Sequence, residues 1–337
     1  MITKALTSLG ALALATSATT AYPQDGQPQN GSSASVSQTT TNGLKITLPD
    51  GVTRDMLGQR SLETIALQVM LDRSRHSPGV IDGFTGGNTR RAVRYYREAN
   101  GLPAGDEADE QLLQSLVETQ TGDIFRTYTI TQDDLTQSFD DNPQGFEDMA
   151  KLARIGYETP LEMFAERFHM DRDFLEILNP GADFGKAGTK LVIVSHGDEK
   201  LTAEVARIEV RKSDNTVALF DGGGTLVATY PSTIGSDEFP SPDGDMEVRA
   251  VAPQAAYYFS PEGRDWGPDK RLEIPPGPNN PVGGIWIDLT KEGYGIHGSP
   301  DPQLVGKRTS HGCVRLTNWD ARTVAGAVKQ GVPAVFR

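Results

Sequence analysis

Apolar and polar residues alternate along the C-terminal part of the chain, which is the pattern of β-strands that bury one face. Turn-forming residues separate these segments, as at 221–224. A single helical pattern, at 319–330, interrupts them before the last strand. We therefore predict a mainly β domain with one main helix over 199–337. Its strands are predicted at 206–210, 216–220, 225–230, 246–251, 256–259, 285–287, 294–296 and 332–336.

The region before this domain follows the helical period instead. Apolar residues recur at helical spacing after Ser61, whose side chain can cap a helix. Two further helical patterns follow, around 89–96 and 112–116, with glycines between them. We expect a three-helix domain over 58–120.

A shorter segment of mixed type connects these two regions. A strand pattern at 128–130 precedes two helical patterns, at 161–168 and 174–178, and a strand pattern at 188–194 closes the segment. This order predicts a small α+β domain over 121–198.

The first residues have the composition of an export signal. Lys4 gives a basic start, an apolar run covers 5–15, and small residues at 19–21 suit a cleavage site. We expect 1–21 to be a signal peptide that directs the protein to the periplasm, with a disordered cytoplasmic tail as the alternative. Residues 22–57, which begin with many Gln, Ser, Thr, Pro and Gly residues, are predicted to be a flexible linker.

The charge of the 337-residue chain excludes one class of function. Its formal net charge of −13 opposes general nucleic-acid binding, which needs lysine and arginine to neutralise phosphates. Basic residues nevertheless cluster at Lys307, Arg308 and Arg315, where they can hold a carboxylate.

The residue types suited to catalysis are concentrated between Ile296 and Asn318. This stretch contains the only cysteine, Cys313, and two of the five histidines, His297 and His311. An exported protein normally pairs its cysteines, so a single one indicates a reactive thiol or an intermolecular bridge. A buried inert cysteine is the alternative. One thiol with two imidazoles lacks a fourth ligand, so we expect no metal and no cofactor.

Two glycines beside these residues favour nucleophilic catalysis. Gly298 lets the backbone come close to His297, so that a carbonyl can fix the tautomer of the imidazole. Gly312 exposes backbone amides next to Cys313, which is one way to build an oxyanion hole. The spacing is compatible with a Cys–His pair in which the imidazole accepts the thiol proton.

Three segments resemble known families. The pair His297-Gly, with Ser-His-Gly-Cys-Val-Arg-Leu-x-Asn at 310–318, closely resembles the signature of the L,D-transpeptidases, whose catalytic domain is the YkuD domain. The segment 82–102 resembles a three-helix peptidoglycan-binding module. The segment 121–198 is similar to the LysM glycan-binding fold, although about twenty residues at 134–154 stand where that family has a short connection.

The main resemblance implies acyl transfer on peptidoglycan stem peptides. Cys313 would attack the carbonyl of the third stem residue, typically meso-diaminopimelate, and release the terminal D-alanine. His297 would be the general base, oriented by the Gly298 carbonyl. The oxyanion region would consist of His311 and Gly312, although His311 has an alternative role in packing and loop shape.

Four more residues are implied to contact the substrate. Ser310 and Arg315 would hold the donor stem, and Tyr294 and Trp286 would line the site. For Trp286 the alternative is a place in the core.

The acyl acceptor stays open at this point. It can be the amine of another stem, a D-amino acid or an amine of an outer-membrane protein, whereas water would make the protein a hydrolase or amidase. A wall-binding scaffold with a vestigial catalytic domain is a further alternative. By the same resemblance, peptidoglycan stem peptides and glycan are the expected partners, and carbapenem-type compounds are the expected inhibitors.

Overall fold

The structure is a computed structural model. The predicted signal peptide and the first part of the predicted linker lie outside the residues that it describes, which are 38–41, 44–236, 238–262, 267–310 and 312–337. Within these ranges, no helix is long and apolar enough to cross a membrane.

Regular structure begins earlier than the composition predicts. Two antiparallel strands, β1 (Gln38–Thr41) and β2 (Leu44–Thr47), precede a 3-10 helix at Arg54–Leu57. Ile46 and Leu57 are buried in a hydrophobic core. The prediction of a flexible linker is therefore wrong for these last residues, because the polar first half of the segment masks apolar residues that are able to pack.

Three helices follow in the region predicted to be helical. They are α1 (Leu62–Arg73), α2 (Gly87–Ala99) and α3 (Glu110–Thr119). The Ser61 hydroxyl caps α1 by accepting the amide hydrogen of Thr64 at 3.2 Å, which satisfies one of the unpaired donors of the first turn. The likeness of these helices to a peptidoglycan-binding module remains a prediction.

The next segment has two strands and three short helices. The strands β3 (Phe125–Thr129) and β4 (Lys190–Val194) pair antiparallel. Between them in the chain lie α4 (Phe146–Met149), α5 (Pro160–Arg167) and α6 (Arg172–Leu178).

The helices and this second segment share one hydrophobic core. Ile65 of α1, Leu112 of α3, Phe164 of α5 and Leu191 of β4 are all fully buried in the same cluster. The predicted boundary near residue 120 therefore crosses a continuous core. Residues 46–194 therefore share one hydrophobic core.

The remaining chain forms the predicted β-rich domain with one main helix. Eight of its strands make a mixed sheet in the order β13-β12-β11-β8-β14-β5-β6-β7, and β9 and β10 pair separately as a hairpin. The elements are β5 (Arg207–Arg211), β6 (Thr216–Phe220), β7 (Leu226–Pro231), β8 (Gly244–Ala252), β9 (Tyr257–Phe259), β10 (Leu272–Ile274), β11 (Trp286–Leu289), β12 (Gly295–His297), β13 (Val314–Arg315), α7 (Asn318–Ala327) and β14 (Pro333–Phe336).

Helix α7 covers the sheet just after the cysteine. The Thr317 hydroxyl caps it by accepting the amide hydrogen of Asp320 at 3.2 Å, and Trp319 and Val324 are buried beneath it. The helix ends at Ala327 rather than at residue 330, because Val328 is already extended.

Helix α2 packs against the far edge strand of the sheet, β7. Tyr95 joins Ala218, Phe220 and Leu226 in a small buried cluster. Arg211 of β5 donates two hydrogen bonds to the Glu98 carboxylate, at 3.0 and 3.1 Å.

Candidate active site

A pair of parallel strands brings the predicted catalytic residues together. β12 and β13 pair so that Ile296 lies opposite Val314 and His297 opposite Arg315. Cys313 immediately precedes β13, two residues from Arg315. Because side chains alternate along a strand, Cys313, Arg315 and His297 belong to the same face of the sheet.

The turn before Cys313 is held by two serine hydroxyls. Ser310 donates to the Cys313 carbonyl at 2.6 Å and accepts from the Gly312 amide at 3.2 Å. Ser241 donates to the Gly312 carbonyl at 2.6 Å. Gly312 has a φ of 111°, a backbone conformation that favours glycine, so the motif needs a glycine at this position.

These bonds change the roles predicted for two residues. Ser310 is buried, and its hydroxyl shapes the turn instead of facing a substrate. The Gly312 amide, predicted to stabilise an oxyanion, donates to Ser310 in this conformation. The predicted partner in the oxyanion region, His311, lies outside the described residues.

The imidazole of His297 is buried and held in one tautomer. Its Nδ1 lies 2.7 Å from the carbonyl oxygen of Gly298, and its ring stacks on Trp286 with 5.5 Å between the ring centres. A carbonyl only accepts, so Nδ1 carries the hydrogen and Nε2 is left as the base. Burial, with a further contribution from the Arg315 cation, lowers the pKa of His297 to about 3. The imidazole is therefore neutral at pH 7 and able to accept a proton.

The thiol of Cys313 is partly exposed, with its Sγ 3.7 Å from the carbonyl oxygen of Gly293. Arg315, two residues further on, is half-buried. Among the described residues, its Nε finds no hydrogen-bond acceptor, so the guanidinium retains a donor for a carboxylate. A neutral base, a thiol and a cation with donor capacity are the parts that acyl transfer from an anionic peptide requires.

The C-terminal part of the chain also matches a known family by sequence. Residues 205–335 fit the family model of YkuD, the L,D-transpeptidase catalytic domain. A relative named "Putative L,D-transpeptidase YkuD" from Bacillus licheniformis is 29% identical over 51% of this chain and 89% of its own length. The "Probable L,D-transpeptidase YbiS" of Escherichia coli K12 is 30% identical over 54% of this chain and 61% of its own length.

Solved structures match the chain at lower similarity. An L,D-transpeptidase from Mycobacterium smegmatis is 18% identical, covers 46% of this chain and 76% of its own, and has a TM-score of 0.33. L,D-transpeptidase 3 from Mycobacterium tuberculosis, in complex with a faropenem-derived adduct, is 17% identical, with 45% and 74% covered and a TM-score of 0.34.

The structure places the other two predicted substrate residues, Trp286 and Tyr294, beside the motif. Trp286 lies on β11 opposite His297, and its indole Nε1 donates to Asp288 at 3.3 Å. It is half-buried and packs on the His297 imidazole, and its contact with a substrate remains a prediction. The Lys291 ammonium lies over the ring of Tyr294, with Nζ 4.9 Å from the ring centre. The same ring borders Gly312.

Asn318, the last residue of the motif at 310–318, has no role predicted from the sequence, and its side chain supports the loop that follows His297. It is fully buried, and its Oδ1 accepts the Ser299 amide hydrogen at 2.9 Å. A Cβ atom added at Gly298 would lie 2.2 Å from this oxygen, and one at Gly283 only 1.9 Å away. The side chain thus fills the space that both glycines leave, directly beneath the loop that orients His297.

A second set of contacts that the sequence does not predict joins helix α2 to the loop at 305–306. Asn88, at the start of α2, donates to the carbonyl of Val305 at 3.0 Å, and Arg91 donates to that of Gly306 at 2.9 Å. The Gly306 amide donates in turn to the Thr233 hydroxyl at 3.0 Å. The sequence separation of more than 200 residues leaves no local pattern that would predict these contacts.

One other group of the described residues brings metal-ligand atoms together. Atoms of Asp72, His169 and His196 lie within 4.8 Å of one another, away from Cys313. Asp72 accepts hydrogen bonds from His169 at 3.1 Å and from the Gly197 amide at 2.6 Å. His196 donates to the Gly197 carbonyl at 2.6 Å. The Asp72 carboxylate is thus paired with the His169 imidazole, and the Gly197 backbone bonds to both Asp72 and His196. These contacts fit a buried ion pair better than a metal centre.

Proposed function

We propose that the protein is an L,D-transpeptidase that acts on the stem peptides of peptidoglycan. The observation that carries this proposal is the parallel pairing of β12 and β13, which sets a neutral buried His297 and the Arg315 cation on the face that bears Cys313. The sequence match to the YkuD domain supplies the substrate class.

In the first half-reaction, the Cys313 thiol loses its proton to Nε2 of His297 as the sulfur attacks the carbonyl of the third stem residue. The bond between that carbonyl and the nitrogen of D-alanine then breaks. The proton held by His297 moves to the departing amine, which leaves as D-alanine, and a thioester remains on Cys313. The backbone amide of Cys313 is the donor proposed for the developing oxyanion.

In the second half-reaction, an amine attacks the thioester and restores the thiol. His297 accepts a proton from the attacking amine and returns one to the departing sulfur. Another stem peptide gives a 3-3 crosslink, a D-amino acid gives an exchanged stem, and a protein amine gives attachment of an outer-membrane protein. Arg315 holds the donor stem through a carboxylate.

The location and the inhibitors follow from the same proposal. We place the protein in the periplasm, after removal of the predicted signal peptide, with its helical and LysM-like regions next to glycan. Carbapenems carry a strained amide that acylates a thiol, and a solved structure of the Enterococcus faecium L,D-transpeptidase catalytic domain is acylated by ertapenem. We expect the same reaction at Cys313.

The test is the product mixture from muropeptides that carry tetrapeptide stems. The proposal predicts D-alanine release with dimers or amine-exchanged tripeptides, and the loss of all products in Cys313→Ala. Tripeptide as the sole product identifies a hydrolase on the same bond. No product from the wild type, under conditions where its fold is intact, identifies a scaffold.

A further inference from the structure

A carboxylate outside the C-terminal β-rich domain contacts Asn318, the residue that supports the loop beside His297. Glu166, on α5, is buried, with 6% of its surface exposed. Its Oε2 accepts a hydrogen bond from Nδ2 of Asn318 at 2.8 Å. Its Oε1 accepts from the Tyr157 hydroxyl at 2.7 Å and from Arg322 at 3.2 Å.

These bonds determine which way the Asn318 amide faces. Its Nδ2 donates both to Glu166 and to the Pro278 carbonyl, at 3.0 Å, and both of these groups only accept. Its Oδ1 is thereby directed at the Ser299 amide. The charged acceptor makes the Glu166 bond the stronger of the two Nδ2 bonds, because hydrogen bonds to ionised groups are about twice as strong as neutral ones.

The directed oxygen in turn controls the residue that orients the base. A Cβ atom added at Gly298 would lie only 2.2 Å from Oδ1 of Asn318, so this oxygen packs in the space that the glycine leaves open. The carbonyl of Gly298 receives the Nδ1 hydrogen of His297 at 2.7 Å. A continuous series of contacts therefore leads from α5 through Asn318 to the imidazole.

We propose that Glu166 is a positioning residue for His297, and that the LysM-like region thereby forms part of the catalytic unit. This inference rests on the proposed function, since it assigns His297 as the base. Without the carboxylate, the Asn318 amide can turn, the Gly298 loop shifts, and Nε2 moves away from the thiol. Misplacement of a catalytic group by about 1 Å can cost about 100-fold in rate.

The competing explanation is that Glu166 only joins two parts of the protein through Arg322. Glu199 provides a matched control, because it accepts from Nε and Nη2 of the same arginine at 2.8 and 3.1 Å and no hydrogen bond of its own reaches Asn318. Glu199→Gln weakens the interface without changing the amide. Glu166→Gln weakens the ion pair with Arg322 as well, but it keeps an amide oxygen that can accept from Asn318.

The experiment measures acylation of Cys313 by a carbapenem with intact-protein mass spectrometry, as a function of drug concentration. We expect Glu166→Ala to lower the saturating rate by about 10- to 100-fold and to leave the half-saturating concentration within about twofold, since the position of the base affects the chemical step. Glu166→Gln and Glu199→Gln should both remain within about threefold of the wild-type rate.

Each outcome decides the inference separately from the proposed function. A wild-type rate in Glu166→Ala overturns the inference. A loss in both Glu166→Gln and Glu199→Gln as large as that in Glu166→Ala also overturns it, because it would identify an interface effect. If Glu166→Ala does not fold by circular dichroism, Glu166→Asp replaces it, because the charge stays near Arg322 while the oxygen withdraws from Asn318. A wild-type protein that is never acylated contradicts the proposed function instead.

Discussion

Acidification tests the protonation state of His297, the proposed catalytic base. Burial and the Arg315 cation lower the pKa of His297 to about 3, so its imidazole is neutral from neutral pH down to about pH 4. We predict that Cys313 is acylated as fast at pH 5 as at pH 7, as long as the substrate itself does not titrate.

The magnitude follows from the fraction of neutral imidazole. With the ordinary pKa of about 6.5, about 3% of the histidine would be neutral at pH 5, and the rate would fall about 30-fold. With a pKa of about 3, about 99% is neutral at pH 5, and the rate is unchanged. The difference is large enough to be read from two pH values.

The assay is the second-order rate of carbapenem acylation of Cys313 between pH 4 and 8, followed by quenched mass spectrometry. This rate reports the ionisation of the free enzyme. As a control, Arg315→Gln should shift the acid limb upward, because it removes the cation that opposes protonation of His297. A 30-fold loss by pH 5, with a midpoint near 6.5, would refute the assignment. A tenfold fall per pH unit throughout would show instead that a pre-formed thiolate reacts.

Three further predictions concern the supports of the site. Gly298→Ala puts a Cβ 2.2 Å from Oδ1 of Asn318 and should slow acylation about 100-fold, whereas Gly222→Ala, which has open space, should not. Burial lowers the pKa of His169, but the nearby carboxylates raise it to a net value of about 9. The protonated imidazole therefore stabilises the fold below pH 6.5, and this stabilisation is lost as the pH rises through 9. In the wild type, the free energy of unfolding measured with urea should fall by about 3 kcal/mol between pH 6.5 and 9, and in His169→Gln this fall should disappear. Asn88→Ala removes the hydrogen-bond donor of the Val305 carbonyl. The free energy of unfolding measured with urea should therefore fall by about 1–3 kcal/mol.

The proposed catalytic residues could be selected from the sequence because they lie in one short motif. Cys313, Arg315 and His297 depend on local strand pairing, and β12 and β13 bring them together as the motif requires. The alternation of apolar residues likewise predicts the β-rich domain, since one face of each strand must be buried. Helix α7 follows from an equally local signal, the helical pattern after Asn318.

The supports of the site could not be predicted in this way. Glu166 reaches Asn318 across 152 positions, and Asn88 reaches Val305 across 217 positions. Such contacts depend on how elements distant in the sequence pack together, and the periodicity of apolar residues carries no information about that packing. The buried residues at 46 and 57 were missed for a related reason, since they join a core formed by helices that lie later in the chain.

In the proposed mechanism, Cys313 forms a thioester with a peptidoglycan stem. The most direct measurement is the intact mass of the protein after rapid mixing with a disaccharide tetrapeptide and an acid quench. We predict a new species, heavier by the disaccharide tripeptide acyl group, whose modified peptide contains Cys313 and which is absent in Cys313→Ser. Turnover of the muropeptide without this adduct, or an equal rate in Cys313→Ser, would contradict the account.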